Sequence, residues 1–565
     1  MEIHSPAGAL PHIPDDLTVP QFIFDCEHST RPRRNASTPW LIEDDTGKKI
    51  SGDELRRRTL GLANGLRLKY GILLLFSRNH IDYPVAIWAA HRLGAVISGA
   101  NPDFSSNELL YQLRETEASI IIVHPDALAT ALSAALEAGV SSERVVLFNA
   151  KESVPSNTTH ETVNDLIELG LRSELAFVER RLRPGEAKTK LAFLSFSSGT
   201  TGKPKAVAIP HYAPIANVIQ IAAHNKVNEA YCDWKDRRYR PGDVAIGVLP
   251  LYHIYGLVIN LHFILFTGMS LVVIPKFNFE QMLKSITRHC ISHLLLVPPH
   301  VVLLCKHPVV KKYDLRKHVK LIMCGAAPLS FELNQKLFEM FPDAHIGQAY
   351  GMTETCTATT MWPINQKRGK SGSGGQLMPG TIARVVKLDG TLAAYDEVGE
   401  LVIKTPSVAL GYSNNKEATK ETFIDGWIKT GDEAKIDRNG EVWILDRLKA
   451  LAPAELEGCL LDHPAVSNAC VVGIPDDYSG EIPVAFVVLT ATAAEEVTSD
   501  PQASEAIKDS IVKKHVADHK VHYKHLAGGV EFVTAIPTSP SGKLLRRILR
   551  EQAKQLKRTV VRTKL

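Results

Sequence analysis

The chain has 565 residues, more than a single hydrophobic core supports, so two or more domains are expected. Its 45% hydrophobic and 22% charged residues are ordinary for a soluble globular protein, and a net charge of +4 argues against a nucleic-acid-binding surface. The eight cysteines are scattered without a CxxC pair, which indicates reduced thiols and excludes a disulfide framework. Residues 1–20 have neither a basic start nor an apolar core, so no secretory signal is predicted there.

Short apolar runs alternate with helical patterns through the first 440 residues of the sequence. Helices are predicted over 107–117, 127–138 and 279–289, and buried strands over 120–123, 145–148, 271–274, 294–297 and 321–323. Alternation of this kind favours α/β layers built on largely parallel sheets.

One apolar stretch, residues 257–274, is long enough to raise the question of a membrane span. The Thr267–Gly268 pair interrupts it, as a helix end does before a following strand. We therefore predict a buried helix, a turn and a buried strand, and no membrane span.

The pattern changes after Gly380, where short strands are separated by Asp-Gly and Asn-Gly turns. The predicted strands are 383–387, 399–403, 435–436 and 442–445. The expected fold is therefore α/β. A large N-terminal domain, 1–446, contains a β-rich subdomain at about 380–446, and a small α+β domain covers 447–565.

The most informative segment is 194–205, with the sequence LSFSSGTTGKPK. A predicted strand, 191–196, runs into a loop in which glycines let backbone N–H groups approach phosphate oxygens, while hydroxyls and lysines add donors and charge. A Walker A loop is excluded, because Ser197 stands where that motif has glycine and Pro204 follows Lys203. The segment predicts a phosphate-binding loop of another kind.

This loop resembles the signature of the adenylate-forming (AMP-binding) superfamily, which includes acyl-CoA synthetases, aryl-CoA ligases, luciferases and peptide-synthetase adenylation domains. The resemblance continues in order through PLYHIYG at 250–256, CGAAPL at 324–329, QAYGMTET at 348–355, KTGD at 429–432, DRLK at 446–449 and TSPSGK at 538–543. The most similar subgroup is the coumarate–CoA ligase-like enzymes. The resemblance implies an enzyme that uses ATP and Mg²⁺ to make an acyl-adenylate and then transfers the acyl group to coenzyme A.

The resemblance also implies roles for the nucleotide-binding residues. Thr353 would contact the α-phosphate and Glu354 would hold Mg²⁺, while Asp432 and Arg447 would bind the ribose. Tyr350 would stack on the adenine. The β- and γ-phosphates would be held by Ser197, Ser198, Gly199, Thr200, Thr201, Gly202 and Lys205, and the backbone shelf beside adenine would be formed by Gly325, Ala326 and Ala327. Gly351 would lie at the nucleotide site and also line the acyl pocket.

Two residues are implied in the chemistry itself. Lys543 would bridge the carboxylate and the α-phosphate, and His253 would guard the acyl pocket. The pocket would be lined by Ile254, Tyr255, Cys324 and Ala349. These side chains carry no charge, and an amino acid substrate would need a carboxylate for its ammonium group, so we expect an aromatic or medium-chain acid.

The sequence departs from the family pattern in two places. Only Ala450 and Leu451 separate Lys449 from the APAE segment at 452–455, so several residues that normally help to line the pantetheine tunnel are absent. A second shortening lies near 69–74. Three interpretations stay open: an intact CoA ligase, an adenylating enzyme or luciferase-like oxidase without CoA transfer, and an inactive binding protein.

The sequence ends Thr563-Lys564-Leu565, after a basic segment that favours a solvated helix. This tripeptide resembles the address read by peroxisomal import receptors. The expected location is therefore the cytoplasm or the peroxisome.

Overall fold

The structure, a computed structural model, describes residues 1–67, 72–149, 160–175, 177–197, 204–387, 389–447, 453–476, 480–519, 525–538 and 544–562. The first strands are β1 (Ile3–His4), β2 (Leu41–Glu43), β3 (Lys49–Ile50), β4 (Leu73–Phe76), β5 (Ile97–Ala100), β6 (Ile120–Val123), β7 (Val145–Leu147), β8 (Leu191–Ser197) and β9 (Lys205–Pro210). They are followed by β10 (Val244–Gly247), β11 (Ser270–Val273), β12 (His293–Leu296), β13 (Leu321–Cys324), β14 (His345–Met352), β15 (Thr357–Met361) and β16 (Gly375–Leu377). The remaining strands are β17 (Ile382–Val386), β18 (Gly399–Lys404), β19 (Phe423–Ile424), β20 (Trp427–Ile436), β21 (Glu441–Arg447), β22 (Val466–Asp476), β23 (Gly480–Leu489) and β24 (Val530–Phe532).

The helices of the first half are α1 (Val19–Phe24), α2 (Gly52–Leu66), α3 (Tyr83–Arg92), α4 (Ser106–Thr116), α5 (Leu128–Ala138), α6 (Val163–Arg172) and α7 (Tyr212–His224). Those of the second half are α8 (Ile264–Phe266), α9 (Phe279–Arg288), α10 (Pro298–Lys306), α11 (Phe331–Met340), α12 (Lys416–Thr422), α13 (Pro453–Leu461), α14 (Ala491–Ser499), α15 (Pro501–Asp509), α16 (Ala517–His519) and α17 (Arg546–Arg562). Two π-helical segments precede α8 and α16, at Tyr255–Phe263 and Ser510–Val516.

Two parallel sheets form the centre of the large domain, as the alternation of strands and helices predicts. One has the order β7-β6-β4-β5-β8-β9, and only its β8–β9 hairpin is antiparallel. In the other, β2, β11, β10, β12, β13 and β14 run parallel. Because helices cover both faces, strands such as β6 and β13 are buried at every residue and their sequences are continuously apolar.

The second sheet continues without interruption into an antiparallel region. Its order beyond β13 is β14-β15-β16-β21-β20-β18-β17-β1, with β19 attached to β20. The short strands predicted after Gly380 are present as β17, β18, β20 and β21. The structure adds β14 to β16 upstream of them, and it adds β1, where Ile3 pairs with Ala383. A two-residue strand has no periodicity, so sequence patterns do not reveal it.

The apolar stretch at 257–274 forms the predicted helix, turn and strand. The helix is π-helical over Tyr255–Phe263, continues as α8, and ends at a turn where Gly268 has a φ of +80° before β11 begins. Every residue of the π-helix is buried. Across the ranges that the structure describes, no helix is both long enough and apolar enough to cross a bilayer.

The small domain pairs β22, β23 and β24 in one sheet, on which α13 and α17 pack. It contacts the large domain where the Lys306 ammonium donates a hydrogen bond of 2.9 Å to the carbonyl of Leu461, at the end of α13. A cation at a helix C-terminus is favourable. All eight cysteines are among the described residues and are free thiols, as predicted.

Candidate active site

The predicted phosphate loop closes the β8–β9 hairpin. Ser197, the last residue of β8, pairs directly with Lys205, the first residue of β9, so both side chains leave the same face at the hairpin end. The loop residues Ser198, Gly199, Thr200, Thr201 and Gly202 lie outside the described residues. Ser197 Oγ is buried and has no hydrogen-bond partner among the residues that the structure describes. A buried hydroxyl without a hydrogen-bond partner is unfavourable unless a ligand supplies the missing hydrogen bond. This arrangement fits a phosphate-binding position.

A distant segment of the chain lies alongside this hairpin. The Ala208 N–H donates to the Gly411 carbonyl at 2.9 Å, and the Ser413 N–H donates to the Ala206 carbonyl at 2.8 Å. This pairing brings Tyr412 under Lys205, whose ammonium lies 4.9 Å from the centre of the tyrosine ring. The arrangement is a cation–π contact. Sequence reasoning missed Tyr412, because its only local signal is a Gly-Tyr pair before a polar turn.

Glu354 occupies a single turn of 3₁₀-helix, Thr353–Thr355, directly after β14. Its carboxylate is buried, and Oε1 accepts a hydrogen bond of 2.8 Å from the Tyr412 hydroxyl. No described residue donates to the second oxygen, Oε2. Thr353 begins the same turn, which packs against both strands of the hairpin. A buried carboxylate with one open oxygen is a ligand suited to a hard cation such as Mg²⁺.

Tyr350 and Asp432 form the next part of the site. The Tyr350 hydroxyl donates to Asp432 Oδ2 at 2.6 Å, and the Asp432 N–H donates to Thr430 Oγ1 at 3.1 Å. Asp432 is buried on β20, opposite Arg447 on β21. The structure describes Arg447 for its backbone alone. The Asp432 carboxylate is thus held in place by the Tyr350 hydroxyl, which reaches it from β14 of the same sheet.

Gly325, Ala326 and Ala327 follow β13 at the carboxyl edge of the parallel sheet, the place where open α/β sheets usually bind ligands. Ala326 has a φ of +70°, in the left-handed region that alanine seldom adopts, and it is exposed together with Ala327. Gly351 lies at the same edge, beside a register shift between Tyr350 and Gly351. A Cβ at Gly351 would lie 1.7 Å from the Thr357 carbonyl oxygen, so only glycine fits.

The predicted acyl-pocket residues converge behind this edge. The Tyr255 hydroxyl donates to the Met323 carbonyl at 3.4 Å, and a Cβ at Gly325 would lie 3.2 Å from the Tyr255 ring and 3.6 Å from the Ala349 carbonyl oxygen. Cys324 is buried, and burial raises the pKa of its thiol to about 12, so the group stays neutral. Ile254 is buried in the same core.

His253 precedes the π-helix and is half-buried. Its Nδ1 accepts a hydrogen bond of 3.2 Å from the Tyr255 N–H, and its carbonyl accepts one of 2.9 Å from the Leu257 N–H. When the imidazole is neutral, this contact assigns the proton to Nε2.

Several predicted functional positions lie outside the described residues. Lys543 is one of them, although the residues that flank its segment, Thr538 and Leu544, pair as an antiparallel bridge. The terminal residues Thr563, Lys564 and Leu565 are others, and so are residues 448–452 of the shortened segment after Arg447. Of the second shortened segment, near 69–74, residues 69–71 lie outside the described residues, and β4 begins at Leu73.

A phosphate-type hairpin, a buried carboxylate suited to a cation, a second carboxylate held by Tyr350 and an uncharged pocket all belong to or contact β14 or the turn that follows it. These features define an enzyme that handles a nucleotide beside an organic substrate. The sequence model of the AMP-binding enzyme family matches residues 28–413, and that of the AMP-binding enzyme C-terminal domain matches residues 455–543.

The curated relatives agree with this match. 4-Coumarate-CoA ligase 1 of Narcissus pseudonarcissus is 33% identical over 559 residues, which cover 95% of this chain and 94% of the relative. Acyl-CoA ligase easD of Emericella nidulans is 32% identical over 573 residues, covering 95% and 97%. The chain therefore belongs to the adenylate-forming AMP-binding enzymes, in the branch of the acyl- and aryl-CoA ligases. The family predicted from the motifs is confirmed, as is the prediction of an enzyme.

Solved structures confirm the predicted α/β fold with a large N-terminal and a small C-terminal domain. The ATP-bound MatB from Rhodopseudomonas palustris is 25% identical, with a TM-score of 0.77 over 95% of this chain and 99% of that chain. The anthranilate CoA ligase AuaEII in complex with anthranoyl-AMP is similar in fold, with a TM-score of 0.79 at 22% identity over 96% and 98%.

Proposed function

We propose that this protein activates an aromatic or medium-chain carboxylic acid with ATP, as an acyl-adenylate, and passes the acyl group to coenzyme A. The observation that carries the proposal is the hairpin end. There, the Ser197 hydroxyl and the Lys205 ammonium lie near a buried glutamate, Glu354, and neither the hydroxyl nor the Glu354 Oε2 atom has a hydrogen-bond partner among the described residues. The names of the curated relatives, coumarate– and acyl-CoA ligases, support the same assignment.

In the first half-reaction, an oxygen of the acid attacks the α-phosphorus of ATP, a new C–O–P linkage forms, and the bond to pyrophosphate breaks. Ser197, the loop 198–202 and Lys205 would hold the β- and γ-phosphates, and Thr353 would contact the α-phosphate. Lys543 would bridge the incoming carboxylate and the α-phosphate. A bound Mg²⁺, held by Glu354, would neutralise phosphate charge.

The adenosine moiety would lie along the carboxyl edge of the parallel sheet. Asp432 can accept hydrogen bonds from two ribose hydroxyls, and the Tyr350 hydroxyl fixes the direction of its carboxylate. Arg447 would reach the ribose from the next strand. The backbone of 325–327, with Gly351 and the Tyr350 ring, would enclose the adenine.

The acyl group would lie against Ile254, Tyr255, Cys324 and Ala349. Burial raises the pKa of the Cys324 thiol and that of the Tyr255 hydroxyl, so both groups are neutral near neutral pH. The side chains of Ile254 and Ala349 do not ionise. An uncharged surface of this kind favours an aromatic or aliphatic acid over one with an ammonium group.

In the second half-reaction, the small domain, 447–565, would rotate relative to the large domain, 1–446, about Asp446 and Arg447. His253 would move aside, the CoA thiol sulfur would attack the acyl carbon, and AMP would leave with the former carboxylate oxygen. The shortened segment after Lys449 favours a second candidate, an adenylating enzyme or luciferase-like oxidase without CoA transfer. An inactive binding protein is the third.

The test is acid-dependent exchange between ATP and pyrophosphate over benzoates, cinnamates and medium-chain fatty acids, followed by addition of CoA. The proposal expects exchange with at least one class of acid and a thioester of the corresponding mass. Exchange without thioester would support the second candidate. If ATP binds but no acid supports exchange, the third candidate, an inactive binding protein, would be supported.

A further inference from the structure

We propose that Tyr412 is a positioning residue. It keeps the Lys205 ammonium and the Glu354 carboxylate from pairing with each other, so that Lys205 faces the phosphates and Glu354 faces the cation. The inference rests on the proposed ATP-dependent function, since that function gives the two charged residues their ligands. It assigns a role to Tyr412 that follows from its contacts alone.

Tyr412 contacts the two residues through different parts of its side chain. The face of its ring lies under the Lys205 ammonium at 4.9 Å, and its hydroxyl donates to Glu354 Oε1 at 2.8 Å. A phenol hydroxyl is protonated near neutral pH and can donate to a carboxylate. One side chain therefore links the phosphate hairpin to the cation-binding turn.

The link prevents a competing interaction. Lys205 and Glu354 carry opposite charges and approach the same tyrosine, and a direct ion pair between them would occupy the groups needed for phosphate and cation. Lys205 forms no ion pair with any described residue. The aromatic ring attracts the ammonium without supplying a counter-charge, so Lys205 keeps its charge available for an anion.

The same contact orients Glu354. A hydrogen bond to Oε1 fixes the rotation of the carboxylate and leaves Oε2 open, as outer partners do for metal-ligating carboxylates. Mg²⁺ is usually bound by one or two carboxylates together with substrate phosphates. The open Oε2 and the unpartnered Ser197 Oγ fit a cation that is shared with a nucleotide bound at the hairpin.

The position of Tyr412 is itself fixed by the fold. Its N–H donates to Thr419 Oγ1 at 2.9 Å, and its ring meets that of Phe423 edge-on at 5.6 Å. The Ala409 N–H donates to the Glu354 carbonyl at 2.9 Å, so the segment 409–413 holds both the backbone and the carboxylate of that residue. The tyrosine is thus placed before any ligand binds.

Two substitutions separate the two contacts. Tyr412→Phe keeps the ring under Lys205 and removes the hydroxyl. We expect the Mg²⁺ concentration for half-maximal pyrophosphate exchange to rise about tenfold, because a hydrogen bond to a charged group is lost. Mn²⁺ binding to the ATP complex, followed by electron paramagnetic resonance, should weaken by a similar factor, while binding of metal-free ATP stays unchanged.

Tyr412→Leu removes the ring as well. We expect this substitution to change the metal dependence as Tyr412→Phe does. It should also weaken binding of metal-free ATP severalfold, because the Lys205 ammonium loses its cation–π contact. Tyr395→Phe, at an exposed tyrosine of the same domain, is the matched control and should change neither quantity. Unfolding midpoints of all variants establish that they fold.

A double-mutant cycle completes the test. In a Glu354→Gln background, Tyr412→Phe should have little further effect on Mn²⁺ binding, because the hydroxyl acts through that carboxylate. Wild-type metal dependence in Tyr412→Phe, or equal additive losses in both backgrounds, would overturn the proposal. Absence of exchange in the wild type would instead contradict the proposed function, and Mn²⁺·ATP binding would still test Tyr412.

Discussion

At the scale of single residues, the site depends on side chains that belong to motifs and on others that do not. Ser197, Lys205, Glu354 and Asp432 could be predicted because each lies in a motif with a recognisable order. Tyr412 could not, because it reaches Lys205 through the bridge between Val207 and Tyr412, which are far apart in the chain. A sequence pattern shows which residues are neighbours along the chain, whereas this contact joins two segments that are about 200 residues apart.

The first prediction concerns Lys543, whose ammonium would bridge the carboxylate and the α-phosphate. Lys543→Ala should lower acid-dependent pyrophosphate exchange at least about 100-fold, because charge stabilisation in the transition state is lost. ATP binding, measured by calorimetry, should remain. Lys554→Ala is the matched control, since Lys554 pairs with Glu551 on the surface of α17 in the same domain. Unchanged exchange in Lys543→Ala would remove this residue from the mechanism.

The second prediction concerns the hydrogen bond between Tyr350 and Asp432. Tyr350→Phe keeps the aromatic ring and removes the donor to Oδ2, so the carboxylate is less firmly directed at the ribose. The KM for ATP should rise about fivefold, the worth of one ordinary hydrogen bond, with kcat little changed. Steady-state kinetics with ATP varied would check this. A loss confined to kcat would contradict a role in ground-state binding.

At the scale of elements, the buried parallel strands were the easiest to predict. Strands such as β6 and β13 are apolar at every position because helices cover both faces, and their boundaries follow from the sequence. The π-helical form of Tyr255–Phe263 was not predictable, since that helix is buried on all sides and has no amphipathic pattern. The strands β14 to β16 were missed because their residues mix polar and apolar types without a regular alternation.

The third prediction concerns the tie between α13 and α17 in the small domain. The Arg546 guanidinium donates to both carboxylate oxygens of Glu457, at 2.8 and 2.7 Å, and Glu457 Oε1 also accepts from the Val471 N–H. Burial opposes the charge of Arg546, but the Glu457 carboxylate outweighs that effect and raises its pKa. The pair therefore joins both helices to β22.

Arg546→Met should destabilise the small domain by about 2 kcal/mol, because Glu457 keeps its burial and loses its cation. All six tryptophans precede residue 447, so their fluorescence does not report on this domain. Hydrogen exchange of the β22 and β23 amides should instead accelerate. Lys554→Met, at an exposed pair with Glu551 on α17, should leave exchange unchanged. Equal hydrogen-exchange rates in both variants would show that the Arg546–Glu457 ion pair does not stabilise the small domain.

At the scale of the whole molecule, length predicts two or more domains, and the alternation of strands and helices predicts the α/β fold class. Neither predicts the joining of a parallel and an antiparallel sheet into one continuous surface, because that joining depends on β14. That strand pairs in parallel with β13 and antiparallel with β15. The same strand carries Ala349, Tyr350 and Gly351, so the junction of the two sheets is also where the site forms.

The fourth prediction concerns the stability of the large domain in mild acid. Burial lowers the pKa of His91 to about 3 and those of His224, His262 and His300 to about 4. These imidazoles stay neutral in the folded state, while the unfolded chain takes up protons as the pH falls through 6.5. Their stabilising contribution is therefore complete above the unfolded pKa and is lost progressively between about pH 6.5 and 4.

The expected slope of the free energy of unfolding in that window approaches about 1.4 kcal/mol per pH unit for each histidine. Urea unfolding followed by tryptophan fluorescence at pH 7, 6 and 5 would measure it. His12→Gln, at an exposed histidine, should leave the slope unchanged. A free energy of unfolding that is constant over this range would show that the imidazoles are not kept neutral.

The pairing of β1 with β17 also has a consequence for the biogenesis of the protein. Ile3 and His4 are synthesised about 380 residues before their partners, Ala383 and Ile382, which follow most of the large domain in the chain. At about 5–20 residues per second, the delay is on the order of tens of seconds. The parallel strands β2 to β14 all precede β17 in the chain, so a bulky tag fused directly before Ile3 is expected to hinder this late pairing more than the folding of the parallel sheets.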